Sequence, residues 1–313
     1  MQNRFQTEPP QGNYPPPAIF EGNVPAHLER NQLLTTCLQE DHRKPSPTLV
    51  NCWLGEAIAI KDPTACALKR ETGSHLIIVG QRDESALAMM ASSLISITAQ
   101  VKPSKISDKL SNIVLLDATN PEDTRHGFLQ SVLSHSDHEY NFGNWRQAPE
   151  LMDVVSAELS RRQEGRISDE PPVFVFIHAL HRFRDFRRGD DDFSFSVDED
   201  ATPTPDKQLK ELLQEGPAHG IHVITWCDTV NNMERAFDRQ SLRELSNRVL
   251  FQMSTSDSAT LIDSPIAANL GMHRALIYRD ELAQTEKFRP YAMPENTILE
   301  FVAQHLGNKN GLG

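Results

Sequence analysis

Six short apolar runs, set between stretches of helical periodicity, constrain this chain more than any other feature. They are Ser74–Val79, Asn112–Leu116, Val173–Ile177, Gly220–Trp226, Arg248–Met253 and Arg274–Tyr278. A half-exposed strand alternates apolar and polar positions. A run that is apolar almost throughout reads as a strand buried on both faces. Between the runs, Asp83–Gln100 places Leu87, Met90, Leu94 and Ile97 near helical spacing, and Ala148–Gln163 does the same with Leu151, Val154, Val155 and Leu159. Lys207–Glu215, Gln240–Asn247 and, earlier, Pro25–Gln39 also read as helices. Crossovers between parallel strands are right-handed, so helices must cover both faces of the sheet. The expectation is an α/β chain, a three-layer α/β/α domain on a mostly parallel sheet, with its core over about residues 48–292.

Composition sets the limits of this domain. Hydrophobic residues make up 38% of the 313 and charged residues 24%, enough for a real core. No apolar run approaches the roughly 20 residues of a membrane helix, and the N-terminus lacks a signal-peptide stretch, so no membrane insertion and a cytoplasmic location are expected. Cys37, Cys52, Cys66 and Cys227 form no C-x-x-C pair and read as reduced thiols. The formal net charge of −12 restricts nucleic-acid binding to a local basic patch. Residues 1–22, rich in Pro, Gln and Asn, read as a linker, which suggests a domain tethered to a larger polypeptide. The domain is expected over 23–295, with an acidic insertion at 188–206, and 296–313 as a C-terminal helix and frayed tail.

In open α/β sheets ligands bind beyond the C-terminal ends of the strands. The first apolar run ends at Gly80 and a helix follows, which is where a phosphate-binding Walker A loop, G-x-x-x-x-G-K-[ST], would lie. Laid on that template without a gap, Gly80 matches the first glycine. Ser85 takes the second glycine position, Ala86 the lysine position and Leu87 the metal-binding hydroxyl position. Asp83 and Glu84 stand in the same stretch. A carboxylate about 4 Å from a phosphate costs roughly 4 kcal/mol at an effective dielectric near 20. Arg82 is the one residue that could stand in for the lysine. A Walker B strand ends in carboxylates that organise magnesium and water; here Val173–Ile177 is followed by His178 and Ala179. His178 reads as a base or as a satisfied residue at a strand end.

Several segments resemble the motor domain of the FtsK/SpoIIIE family. GPAHGIHVITWCDT (216–229) is similar to the family's GIH strand, which normally ends in a Thr-Gln-Arg sensor. NRVLFQMSTSDSATLIDSPIAANLGM (247–272) is similar to a family segment carrying FQ, DS and ILD blocks. MDVVSAELSRRQ (152–163) resembles a family helix, and WLGEAIAIKDPTACALKRETGSHLIIVG (53–80) resembles the strand pair leading to the phosphate loop. The resemblance covers about residues 48–292. It implies a RecA-like fold, ring assembly and ATP-driven movement of DNA, and it extends to tandem secretion ATPases in which some domains are degenerate. The chain departs from the pattern at Walker A, at Walker B and at the sensor, which reads Cys227-Asp228-Thr229.

The expectation is therefore a non-catalytic domain that assembles with, regulates or docks partners onto ATPase domains. Its partners would be other RecA-like domains or a peptide, with DNA secondary, and no cofactor is expected. One alternative is an active ATP-driven DNA translocase using ATP and Mg, with Arg82 and Asp117 as substitute ligands. Another is a DNA-binding module built on Arg182, Arg184, Arg187 and Arg188, which alternate with Phe183 and Phe186 in a pattern suited to phosphate contact and base stacking. Arg248 and Arg274, each before a strand, are candidates for an arginine reaching into a neighbour's site. Asp257 and Asp263 read as helix-terminal residues rather than a metal pair, with Ser256 or Asp257 as the cap.

Overall fold

The computed structural model describes residues 24–41, 43–165, 169–189 and 203–307. The expected linker over 1–22, residues 190–202 of the acidic insertion and the tail after 307 lie outside the described residues. The chain begins with α1 (Gln32–Glu40), β1 (Leu49–Ala57) and β2 (Thr64–Lys69). Next come β3 (Leu76–Val79), α2 (Asp83–Gln100), a small hairpin of β4 (Lys105–Ser107) and β5 (Leu110–Ser111), and β6 (Ile113–Asp117). Then follow α3 (Phe128–Leu133), β7 (Asn141–Gly143), α4 (Ala148–Gly165), β8 (Val173–His178), α5 (Pro205–Glu215), β9 (Ile221–Cys227) and α6 (Val230–Ala236). The last elements are α7 (Arg239–Glu244), β10 (Asn247–Leu250), α8 (Thr255–Ile262), β11 (Ala275–Arg279), β12 (Gln284–Pro290) and α9 (Asn296–Leu306).

Ten strands form one sheet in the order β2-β1-β12-β11-β10-β3-β9-β8-β6-β7. The six from β10 to β7 run parallel to their neighbours, and β11, β12, β1 and β2 extend the sheet antiparallel. β3, β6, β8 and β9 are buried at every position, as continuous apolar strands between helical layers must be. The antiparallel extension corrects the reading of Arg274–Tyr278 as one more parallel strand: β11 reaches β10 through α8 and a 3₁₀ segment and returns antiparallel to it. β2 alternates buried and half-buried positions, the mark of a strand with one wetter face.

Helix α2 departs from a one-faced reading. Every residue from Ala86 to Ala99 is buried, because the helix lies against β1 and contacts α1, α3 and α9. Its hydroxyls are satisfied within the helix: Ser92 and Ser93 donate to the Met89 carbonyl at 3.0 and 2.8 Å, Ser96 to Ser92 O at 2.6 Å, and Thr98 to Ile95 O at 3.1 Å. Ser96 Oγ also accepts from the Trp53 amide at 3.1 Å, tying the helix to β1. Helix α9 buries Ile298, Leu299, Val302 and Leu306 in the same core cluster as the sheet.

Candidate functional site

The parallel strands end together along one edge, and the turn after β3 lies at its centre. β3 ends at Val79 and α2 begins at Asp83, so the turn is only Gly80, Gln81 and Arg82. Gly80 has φ +130°, a conformation side-chain-bearing residues avoid, and a Cβ there would stand 3.0 Å from Phe251 Cβ. Both of its backbone groups are engaged by β9: its N–H donates to Cys227 O at 3.0 Å, and its carbonyl accepts from Trp226 Nε1 at 3.1 Å. The ungapped phosphate-loop overlay does not describe this turn. Asp83 to Leu87 are already helical, Ser85 is half-buried, and Ala86 and Leu87 are core residues at 0% and 2% exposure. Arg82 is exposed on the turn. Asp83 and Glu84 are exposed in the first turn of α2, where their charges complement the positive end of the helix.

Two clefts flank this turn. One, of about 190 Å³, lies between the ends of β3, β9 and β10 and is lined by Gly80, Gln81, Asp228, Thr229, Gln252 and Asp257. The other, of about 350 Å³, is lined by Arg82, Asp83, Glu84, His273, Arg274 and Tyr291. Small-molecule pockets run from about 300 to 1,000 Å³, so the first is smaller than that range and the second stands at its lower end, where the character of the lining decides.

A buried polar group stands at the ends of β6 and β8. The sheet register pairs Asp117 with His178. His178 Nδ1 lies 2.9 Å from Asp117 Oδ1 and 3.1 Å from Thr119 Oγ1, and Thr119 donates to Asp117 Oδ1 through its amide at 2.8 Å and its hydroxyl at 2.6 Å. Burial pushes the Asp117 carboxyl up, but the hydrogen bonds and charge of His178 and the two bonds from Thr119 outweigh it and hold the group below the usual carboxylate range. His178 Nε2 is enclosed and has no hydrogen-bond partner. Trp226 lies against the same imidazole, ring centroids 5.0 Å apart. Ala179, at the second Walker B position, adopts a left-handed conformation at φ 61°, which is strained for a residue with a Cβ. The small cleft in front of this group is lined by His178, Ala179, Thr119, Arg125, Arg182 and Asp83.

The basic run divides. Arg182 faces that cleft and donates to Ala118 O at 3.1 Å. Arg184, Arg187 and Arg188 line a separate groove with Lys207 and Lys210. Arg187 donates to His181 O at 3.2 Å and Arg188 to Glu234 O at 2.8 Å. All four arginines are exposed. The stacking expectation is corrected: Phe183 and Phe186 are 1% exposed and pack on each other in the core, ring centroids 5.2 Å apart, so they offer no face to a base.

The two strand-flanking arginines differ. Arg248 is 7% exposed, donates to the carbonyls of Leu245, Leu261 and Leu242 at 2.9, 2.6 and 2.8 Å, and meets Asp280 at 3.4 Å. A guanidinium so engaged closes the end of its own helix–strand corner and cannot reach into a neighbouring molecule, which corrects its reading as a candidate trans arginine. Arg274 is half-buried beside Arg82 and Glu84 in the larger cleft and donates to His273 O at 3.0 Å. Helix α8 is capped by Ser254, whose side chain accepts from the Asp257 amide at 3.1 Å, in place of the expected Ser256 or Asp257. Asp263 ends that helix in a left-handed conformation, φ 51°.

Sequence reasoning missed the meeting of His178 with Thr119, and a cluster of His181, Cys227 and Asp228 at the ends of β8 and β9. The only sequence signal for either was a polar residue ending an apolar run.

No protein-family model matches the chain, and no curated protein matches it either. Solved structures do. EssC (ATPases 2 and 3) from Geobacillus thermodenitrificans superposes with a TM-score of 0.55 at 15% identity, over 85% of this chain and 49% of that one. The cytoplasmic domain of the type VII secretion ATPase EccC from Thermomonospora curvata gives 0.57 at 13% identity, over 90% and 34%. The pCW3 conjugation coupling protein TcpA, in monomer form with ATPγS, gives 0.55 at 10% identity, over 85% and 72%. The chain spans between about a third and a half of the two secretion-ATPase chains. Strand order, the parallel core and these superpositions agree on one conclusion: the chain has the α/β fold of RecA-like P-loop ATPases.

Proposed function

We propose that this chain is a RecA-like domain of a larger translocase-type ATPase assembly, and that it works by docking neighbouring ATPase domains or a partner polypeptide rather than by turning over ATP. The observation that carries this reading is the three-residue turn after β3. A triphosphate cradle needs several free backbone amides and a cation at the phosphates. Here the Gly80 amide is engaged by Cys227 O, the turn holds no lysine, α2 starts at Asp83 with Ala86 and Leu87 already in the core, and Asp83 and Glu84 occupy the helix end that would otherwise attract phosphate. The docking half of the reading draws support from the company the fold keeps. EssC and EccC carry several ATPase domains in one chain, and a structure of EccC (ATPases 2 and 3) from Thermomonospora curvata is in complex with a signal sequence peptide. Among the described residues no helix is long and apolar enough to cross a membrane.

Calorimetry with Mg-ATP on the purified chain tests the central claim. We expect no binding heat and no rise in melting temperature at millimolar nucleotide; micromolar affinity sinks the proposal. A second reading is favoured by one observation, the exposure of Arg184, Arg187 and Arg188 along a groove shared with Lys207 and Lys210. It assigns DNA backbone contact to that groove. Duplex binding that weakens with salt and disappears on charge reversal of the three arginines would support it, and indifference to the reversal removes it.

A further inference from the structure

The His181, Cys227 and Asp228 cluster is not absorbed by the proposed function. His181 lies in the helical turn Leu180–Arg182 after β8, Cys227 ends β9, and Asp228 follows it. Nδ1 of His181, Sγ of Cys227 and a carboxylate oxygen of Asp228 lie within 4.8 Å of one another, the only such group of three among the described residues. Nδ1 stands 3.5 Å from Asp228 Oδ1, and Sγ 3.8 Å from the same atom. Bonds of about 2.0–2.1 Å to nitrogen or oxygen and about 2.3 Å to one sulfur set these tetrahedral ligands about 3.3–3.6 Å apart, so the Nδ1–Oδ1 separation already matches a shared ion and the Sγ–Oδ1 separation is slightly longer than one needs.

A second observation points the same way. His181 Nδ1 is shut off from solvent and has no hydrogen-bond partner. Buried ring nitrogens are ordinarily satisfied; this one, 3.5 Å from the Asp228 carboxylate and close to the Cys227 thiol, makes no hydrogen bond and is open to a ligand. The surrounding groups hold the donors in place. Trp226 meets the His181 ring edge-on at 5.4 Å and 89°, and Asn232 Nδ2 donates to both carboxylate oxygens of Asp228 at 2.8 and 3.2 Å. Outer contacts of this kind orient metal ligands in general.

We propose that His181, Cys227 and Asp228 bind one divalent transition-metal ion of the zinc class through Nδ1, Sγ and a carboxylate oxygen, with water in the fourth position. A mixed N, S and O donor set favours a borderline ion over magnesium or calcium, which prefer oxygen alone. As the sulfur–metal bond forms, the Cys227 S–H bond breaks and its proton passes to solvent; no electron is transferred. The ion ties the turn after β8 to the end of β9, and so sets where Arg182 stands at the mouth of the Asp117–His178 cleft.

Titration of the reduced, metal-free chain with cobalt(II) tests this. We expect a thiolate-to-cobalt charge-transfer band that saturates at one equivalent and is displaced by zinc. Cys227→Ser removes the band, and His181→Ala weakens cobalt binding at least tenfold. Cys37→Ser leaves the band unchanged. Absence of the band in the wild-type chain overturns the proposal, as does a band that survives Cys227→Ser and vanishes in Cys37→Ser. The wild-type titration stands whether or not the Cys227 variant folds, and Asp228→Asn, expected to weaken cobalt binding, provides a second variant that keeps the thiol.

Discussion

Two neighbouring places on the same sheet edge have been built in opposite ways. At the end of β3 the polar groups of Gly80 are spent on β9, and the Phe251 ring closes over its backbone. Along the same edge, at the ends of β6, β8 and β9, polar side chains are buried together and two imidazole nitrogens, His178 Nε2 and His181 Nδ1, make no hydrogen bond. Hydrogen-bond satisfaction makes the first place a joint. The second keeps polar atoms that the fold itself does not use. Adjacent strand ends of one sheet can therefore differ in whether their polar groups are used within the fold.

Trp226 belongs to both places, since its indole N–H holds Gly80 and its ring lies between His178 and His181. Trp226→Ala should give the largest effect, a loss of about 3–5 kcal/mol in denaturant unfolding, through a large cavity and an unmade buried hydrogen bond. A loss under about 1 kcal/mol would show that the two regions are not coupled through it.

Gly80→Ala isolates the joint. The positive φ and the approach to Phe251 Cβ should lower stability by about 1–3 kcal/mol while cobalt binding at His181 and Cys227 stays intact. A stabilised Gly80→Ala variant would mean that the turn relaxes freely and that its shape is not strictly required.

Asp117→Asn probes the polar place with a smaller effect, about 1–2 kcal/mol at neutral pH, from weakening the charged bonds to His178 and Thr119. The carboxyl is held below its ordinary value in the folded chain, so the unfolded chain binds its proton more readily. Its contribution is complete above the unfolded value, near 3.9, and declines as pH falls toward the lower folded value. The gap between wild type and variant in urea melts should therefore narrow below about pH 4. A gap that widens there contradicts the assignment.

How much of this was legible beforehand differs by element. The apolar spacing predicts helix α2 over Asp83–Gln100, and the structure gives the same span. The helix after the acidic insertion starts two residues earlier than its periodicity suggested, at Pro205, because proline is well suited to a first helical turn. The first helix was overextended at its start: Leu28–Arg30 form a separate 3₁₀ turn, and Asn31 caps α1 by accepting from the Leu34 amide at 3.1 Å. At the site, the missing lysine was plain from the residues. The shortness of the turn was not, because an ungapped template presumes a loop length that only the start of α2 reveals.

What the chain's order of residues determined alone was the alternation of buried strands and helices, and the types of side chain placed where those strands end. Both are local properties, set by neighbours a few positions apart. Tertiary structure decided that Asp117 and His178 stand in one register, that His181 meets Cys227 and Asp228, and that Phe183 and Phe186 turn inward while the arginines beside them face water. These meetings join residues far apart along the chain. They depend on strand order and on which side of a turn faces the core, and long-range packing rather than any spacing along the chain selects them.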